Sequence, residues 1–268
     1  MKGKEIIIHR IRDFDAALHS KRIMSTLTYV FLRQFCKFFR IDEKKIQSLI
    51  KNNVVYLDGY KFRARARTLD FLFISRYYEP ETTRFILNLR GNTFIDIGAH
   101  IGRYGVLASK NFKKIYAFEP QPSNYQILKQ NISTNKIKNV KPINLAVSSK
   151  EKTVYMSDLV MNTGAAHLSK KGKIKAKTCT LDKYLGKRVH PGSKEIDLIL
   201  IDVENHELEV IKGSRRLLKQ GNPILIIECL DINKIEWYLF ILGYKRIKTL
   251  DFYNHVFVKS KPACSAHI

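Results

Sequence analysis

Nine residues, Phe94 to Gly102 (F-I-D-I-G-A-H-I-G), constrain this chain more than any others. An apolar run enters a glycine-bearing turn, the pattern of a buried parallel strand leading into a helix. Gly98 and Gly102 let the backbone approach a ligand and let the helix start tightly against the strand. A second run, Ile115 to Pro120 (I-Y-A-F-E-P), reads as the neighbouring strand, with Glu119 and Pro120 at its tip. An acid there can accept hydrogen bonds from ribose hydroxyls. The two runs predict a nucleoside-cofactor site at the carboxyl ends of a doubly wound sheet.

The spacing selects among such cofactors. A dinucleotide site uses G-x-G-x-x-G, whose amides and glycines cradle a pyrophosphate. Here His100 stands where the second glycine would be, giving Asp96-x-Gly98-x-x-x-Gly102. That is the pattern of enzymes using S-adenosylmethionine, which carries no phosphate. Asp96, Gly98, His100, Gly102, Glu119 and Pro120 are therefore candidate cofactor residues. Tyr104, at the start of the next helix, and Asn144 and Ala146, at the expected tip of a third strand near the adenine, complete the set.

A third segment, Glu195 to Gly213 (E-I-D-L-I-L-I-D-V-E-N-H-E-L-E-V-I-K-G), predicts a strand ending at Asp202 and an acidic helix start. Pro223 to Cys229 (P-I-L-I-I-E-C) predicts another buried strand ending at Glu228. With A-F-E-P followed by Asn131, N-L-A-V-S-S, and T-L-D at Thr180 to Asp182, the chain from Tyr78 to Cys229 resembles the FkbM-type family of S-adenosylmethionine-dependent methyltransferases. The resemblance implies O-methylation, with sugars or sugar-containing metabolites as acceptors. Asn205-His206 departs from that family, which usually has glycine and a small residue there.

Asp202, Glu204, His206 and Glu228 are the candidate catalytic residues. A hydroxyl is a poor nucleophile near neutral pH, so His206 or a carboxylate could take its proton. Alternatively, Asp202, Glu228 and a neighbour could hold a divalent ion through oxygens and acidify the hydroxyl. No D-P-P-Y or N-P-P-Y tetrad, which suits the exocyclic amines of bases, follows the fourth strand.

The alternation of strands and helices predicts an α/β fold, a mostly parallel Rossmann-like sheet over 91–268. Its strands are expected at 93–97, 114–118, 140–145, 196–201, 224–229, 244–249 and 255–259, and its clearest helices at 104–110, 123–131, 208–218 and 233–242. The last two strands are separated only by Asp251 to Asn254, which predicts an antiparallel edge hairpin. Residues 1–90 read as an extension. Met24, Leu27, Phe31, Phe35 and Phe38 mark an amphipathic helix, and Asp58-Gly59 marks a β-hairpin turn. A further helix is expected from about Thr83 to Leu89.

Lys and Arg number 48 against 24 Asp and Glu, a formal net charge of +24. Such a balance favours anionic partners: a membrane surface, a charged glycan, or RNA, which makes RNA methylation the alternative function. Arg63, Arg65 and Arg67 are expected on one face of the hairpin, where guanidiniums could grip phosphates. A polar loop with Met161 to Gly164 and a lysine run from Lys170 to Lys177 is expected to cover the site. Cys36, Cys179, Cys229 and Cys264 show no metal-finger spacing, and no apolar run of membrane-spanning length appears. A cytoplasmic location, peripheral to a membrane at most, is expected.

Overall fold

Apolar runs of this sequence become strands because both of their faces are covered. The computed structural model describes residues 53–66, 68–157, 172–186, 196–251 and 253–260. The stripe from Met24 to Phe38, Arg67, the loop from Met161 to Lys171, Cys36 and Cys264 lie outside the described residues. In chain order the elements are β1 (Asn53–Leu57), β2 (Tyr60–Ala64), α1 (Asp70–Phe73), α2 (Pro80–Asn88), β3 (Gly91–Ile97), α3 (Arg103–Leu107, then a 3-10 turn at Ala108–Lys110), β4 (Phe112–Phe118), α4 (Pro122–Thr134) and β5 (Val140–Ile143). They continue with β6 (Ala146–Val147), β7 (Thr153–Met156), β8 (Ile174–Cys179), α5 (Leu181–Leu185), β9 (Ile196–Ile201), α6 (Glu207–Gly213), α7 (Arg215–Gln220), β10 (Ile224–Glu228), α8 (Asn233–Ile241), β11 (Tyr244–Leu250) and β12 (Asn254–Lys259).

The seven-stranded sheet runs β11-β12-β10-β9-β3-β4-β5. Strands β10, β9, β3, β4 and β5 are parallel, while β12 is antiparallel to both β10 and β11. The expected edge hairpin is present. Strand order reverses between β3 and β9, and ligands of doubly wound sheets bind at the carboxyl ends beside such a switch point. One face packs Ile95, Ile97, Tyr116, Phe118, Ile199 and Ile201 under the helices. The other packs Phe94, Ile115 and Leu128 together with Phe62 of the β1–β2 hairpin and with Phe71, Ile74 and Ile86 of the segments preceding β3. Residues from Val55 onward thus share a core with the sheet.

Asp58 and Gly59 both take positive φ, 48° and 85°, the backbone that a two-residue hairpin turn needs. The hairpin is tied down by Asn131, which is fully buried. Its Oδ1 accepts the Arg63 amide at 2.8 Å, and its Nδ2 donates to the Ile101 carbonyl at 2.8 Å. One side chain on α4 therefore fixes both the hairpin and the turn after β3.

Four expectations need correction. Strand β5 stops at Ile143 instead of reaching 145, because the Asn144 amide donates to the carbonyls of Glu119 (2.8 Å) and Pro120 (3.1 Å) and turns the chain off the sheet. Ala146 then pairs with Thr178 of β8 in a separate sheet, β6-β8-β7. The helix expected over 208–218 breaks at Ser214, whose hydroxyl donates back to the Val210 carbonyl at 2.7 Å. Arg65 does not join an open arginine row: it lies past the end of β2, and its Nε and Nη2 donate to the buried Asp70 carboxylate at 2.7 and 2.8 Å. Burial alone would raise the pKa of Asp70, but these bonds hold it below the usual carboxylate range. Finally, Lys175 and Lys177 lie on the exposed face of β8 rather than in a covering loop.

Asn131→Ala would leave the buried Ile101 carbonyl and the half-buried Arg63 amide without their partner. It should cost roughly 1 to 3 kcal/mol. In urea unfolding the midpoint should fall while the slope stays unchanged.

Candidate active site

Three strand tips meet in register. Ile97 pairs with Phe118 on one side and with Ile201 on the other, so Gly98, Glu119 and Asp202 follow side by side. The Gly98 amide donates to the Phe118 carbonyl at 3.0 Å and the Asp202 amide to the Ile97 carbonyl at 2.9 Å. Gly98 has φ of 90°, and a Cβ there would lie 1.7 Å from the Asp202 carbonyl oxygen. The space that Gly98 leaves open is filled by the backbone at the tip of β9, and its own backbone lines the cavity beside it. At Gly102, φ is 86° and a Cβ would meet Leu128 at 2.4 Å, so this glycine seats α3 on α4.

Glu119 is buried, and its carboxylate accepts the amides of His100 and Gln121, each at 2.8 Å. Burial nonetheless pushes its pKa up to about 7. His100 has φ of 50° and stacks edge-on against Phe73 with centroids 5.0 Å apart. Its burial drives the imidazole down to about 4, so the ring is neutral at pH 7.

These groups open onto a cavity of about 260 Å³. Phe118, Leu145, Ala146, Val147 and Met156 supply apolar lining. Tyr78, Arg103 and Tyr104 line it elsewhere, and Asp202, Glu204, His206 and Glu228 supply an acidic side. Arg103 is held by the carbonyls of Ser75 (3.2 Å) and Tyr78 (2.8 Å) and by the Thr83 hydroxyl (2.7 Å). The Tyr104 hydroxyl donates to Glu79.

Asp202 and Glu228 form a carboxyl–carboxylate pair. Burial first, then the charges of Glu228, Glu79 and Glu204, push Asp202 far above its usual range, and it donates its proton to Glu228. Glu228 is also raised, by burial and by the charge of Glu79. Asp202 therefore keeps its proton at neutral pH, while Glu228 loses its own at about 7. His206 reaches the Ser148 hydroxyl at 3.0 Å, and burial lowers its pKa.

The cavity thus unites Gly98, His100, Tyr104, Glu119, Pro120, Ala146, Asp202, Glu204, His206 and Glu228. Asp96, Gly102 and Asn144 are not among its lining residues. Asp96 is buried, accepts the Gly105 amide and has its pKa raised by burial to about 7. Phe73, Tyr78, Arg103 and Met156 went unforeseen, as did Glu79 behind them. Arg103 left one clue, since an arginine heading a buried helix must find acceptors. The others come from segments distant in sequence and left none. Among the described residues, no group of three or more His, Cys, Asp or Glu is arranged to hold a metal ion.

The loop after β9 explains the departure at Asn205. Glu204 and Asn205 have φ of 52° and 70°. Asparagine is one of the few residues besides glycine that takes this left-handed backbone readily, so it meets the same demand as the glycine usual at that position.

The family described as "Methyltransferase FkbM domain" matches residues 96–251. The chain is 27% identical over 178 residues to the hexuronic acid methyltransferase AglP of Haloferax volcanii, covering 65% of this chain and 72% of that protein. It is 30% identical over 162 residues to the methyltransferase sdnD of Sordaria araneosa, covering 48% of this chain and 62% of that one. A crystal structure of methyltransferase FkbM from Methylobacillus flagellatus KT aligns with a TM-score of 0.45 at 18% identity, over 70% of this chain and 51% of that one. The chain thus spans about half of that crystal structure and under two thirds of the Sordaria protein.

Asn205→Gly should leave stability nearly unchanged. Asn205→Val puts a β-branched residue at positive φ and should cost about 1 to 2 kcal/mol, seen as a fall of roughly 2 to 8 °C in Tm.

Proposed function

This chain belongs to the FkbM methyltransferase family, and we propose that it transfers the methyl group of S-adenosylmethionine to a hydroxyl of a sugar or sugar-containing acceptor. The observation that carries this reading is the presence of two acidic stations of different kinds in one cavity. Glu119 is held by two backbone amides and the Asn124 side chain, whereas Asp202 lies against a second carboxyl, Glu228, and keeps its proton. Carboxyl groups with different environments take different roles.

The residues fit the cofactor. Glu119 faces the cavity with acceptor capacity beyond its bonds to the His100 and Gln121 amides and the Asn124 side chain, which suits ribose hydroxyls. Phe118, Leu145, Ala146, Val147 and Met156 offer an apolar wall for a purine. The acids of the same cavity favour a nearby positive charge. When bound, S-adenosylmethionine supplies a sulfonium whose methyl carbon is the electrophile. Gly98, His100 and Pro120 would shape the rest of the cofactor side. Asp96 and Gly102 would act beneath it, by holding α3 in place. Asn144 would act through the β4 tip that its amide braces.

On the acceptor side, the Asp202–Glu228 pair would take the hydroxyl proton as the nucleophile attacks, with Glu228 as the ionised member. His206 is neutral and could orient the acceptor, and Glu204 adds to the field that keeps Asp202 protonated. This base chemistry needs no divalent ion. A sugar acceptor is supported by the kinship with a hexuronic acid methyltransferase. The net charge of +24 suits an acceptor carrying negative charge.

The test of acceptor class is transfer of labelled methyl groups from S-adenosylmethionine into separate glycan, lipid and RNA fractions of a cell extract. Label in glycan or glycolipid is the expected outcome. Label confined to RNA would overturn the sugar reading.

Glu119→Ala should weaken S-adenosylmethionine binding by roughly ten- to a hundredfold in calorimetry. Wild-type affinity should fall as pH drops below about 7, because the free protein then protonates the raised Glu119 and loses the acceptor form. Affinity unchanged by both manipulations would remove Glu119 from the cofactor site.

Asp202→Asn and Glu228→Gln should each reduce kcat by about a hundredfold or more, a far larger effect than their effect on cofactor affinity. Chelator should not affect wild-type turnover. Activity that vanishes with chelator and returns with magnesium would instead assign the acids to a metal.

A further inference from the structure

One hydrogen bond beside the cavity fixes where a proton sits. Ser148 follows the short strand β6 and is almost fully buried. A buried hydroxyl needs an acceptor for its hydrogen. Among the described residues, Ser148 Oγ has one partner, His206 Nε2 at 3.0 Å. Ser148 is therefore the donor and Nε2 the acceptor. A neutral imidazole carries one proton, and the bond made by one ring nitrogen decides which nitrogen holds it. With Nε2 accepting, the proton is on Nδ1. The ring is neutral at pH 7, because burial lowers its pKa and Lys152 adds to that effect against the charge of Glu209.

Both partners of this bond are held by main chain. The Ser148 amide donates to the carbonyl of Cys179, at the end of β8, at 2.9 Å. A Cβ on Gly213 would lie 2.0 Å from the Ser148 carbonyl oxygen, so α6 rests directly against this backbone. The neighbouring Ser149 hydroxyl donates to Glu209 of the same helix. His206 immediately precedes α6, and its carbonyl accepts the amides of Glu209 (3.1 Å) and Val210 (3.2 Å).

The other ring nitrogen is available. His206 lines the cavity, and its Nδ1 has no hydrogen-bond partner among the described residues, yet is not a buried atom. An N–H at that point offers a proton to a lone pair and cannot accept one. We propose that Ser148 is a positioning residue that locks His206 as the Nδ1–H tautomer, so that the imidazole donates a hydrogen bond to an acceptor oxygen beside the reacting hydroxyl. Proton removal is then left to the carboxylates of the same cavity. A sugar carries oxygens on adjacent carbons, so a donor for one and a base for its neighbour would hold it at two points. That last step rests on the sugar reading, whereas the tautomer does not. His206 also stands where the chain departs from the residues usual in the family, so the pairing with Ser148 is a device of this chain.

Long-range proton–nitrogen correlation spectra of the isotopically labelled full chain distinguish the two tautomers. His206→Asn identifies the His206 signals, by their loss, among those of the eight histidines. At pH 7 the wild type should show the Nδ1–H form. Ser148→Ala should move the ring toward Nε2–H, the form an unconstrained imidazole prefers, and should keep wild-type affinity for S-adenosylmethionine, which shows that it is folded. A wild type in the Nε2–H form would overturn the proposal with no variant needed, as would an unchanged tautomer in Ser148→Ala. Methyl transfer is then measured in whichever extract fraction the wild type labels. His206→Ala should lower it by about three- to tenfold, the loss of one neutral hydrogen bond, and His206→Asn, which keeps an N–H near the Nδ1 position, should recover most of it. Losses of about a hundredfold in both variants would make His206 the base and overturn the donor role. Label confined to RNA would overturn the sugar reading, while the tautomer and the two histidine variants still decide this one.

Discussion

The Asp202 carbonyl oxygen occupies the space that any side chain at residue 98 would need, and much of the molecule is arranged around that contact. It brings the tips of β3 and β9 together at the point where strand order reverses. Because β3 also pairs with β4, the same register sets Glu119 beside the turn, where the His100 and Gln121 amides close on its carboxylate. Two acids more than eighty positions apart thereby enter one cavity. The positive φ values along the 98–102 turn follow from the same crowding, since the chain must leave β3 without entering the space of β9 and still begin α3 against α4.

The cavity is acidic in a basic protein. Glu119, Asp202 and Glu228 are largely buried, and their pKa values rise because burial disfavours charge more than their hydrogen bonds favour it. Lysines and arginines lie largely outside, on β8, β11 and the hairpin, where water solvates them. The buried acids stay few in charge by keeping protons, as Asp202 does, and a site of that kind is ready for a positively charged ligand. The outer charge answers a different need, attraction toward anionic partners over longer distances.

Much of this was legible in the chain. Asp58-Gly59, between apolar-alternating arms, specified a hairpin, because a two-residue turn requires positive φ at both positions. Ile196 to Ile201 emerged with the expected limits, and the short link from 251 to 254 left the last strands no room for a crossover. Boundaries failed where a single side chain redirected the backbone. Asn144 ended β5 through carbonyls just past the end of β4, and Ser214 ended α6 through its own hydroxyl. Periodicity does not contain such bonds.

The sequence by itself determined the doubly wound sheet, the glycine turn and the acids at strand tips, because these rest on local pattern and on the period of buried strands. Only the tertiary structure decided what those residues face. It turned Asp96 inward to α3 and closed Arg65 on Asp70. It also brought Tyr78, Arg103 and Met156 to the cavity. Those outcomes depend on which surfaces meet across long stretches of chain, and local pattern does not encode that.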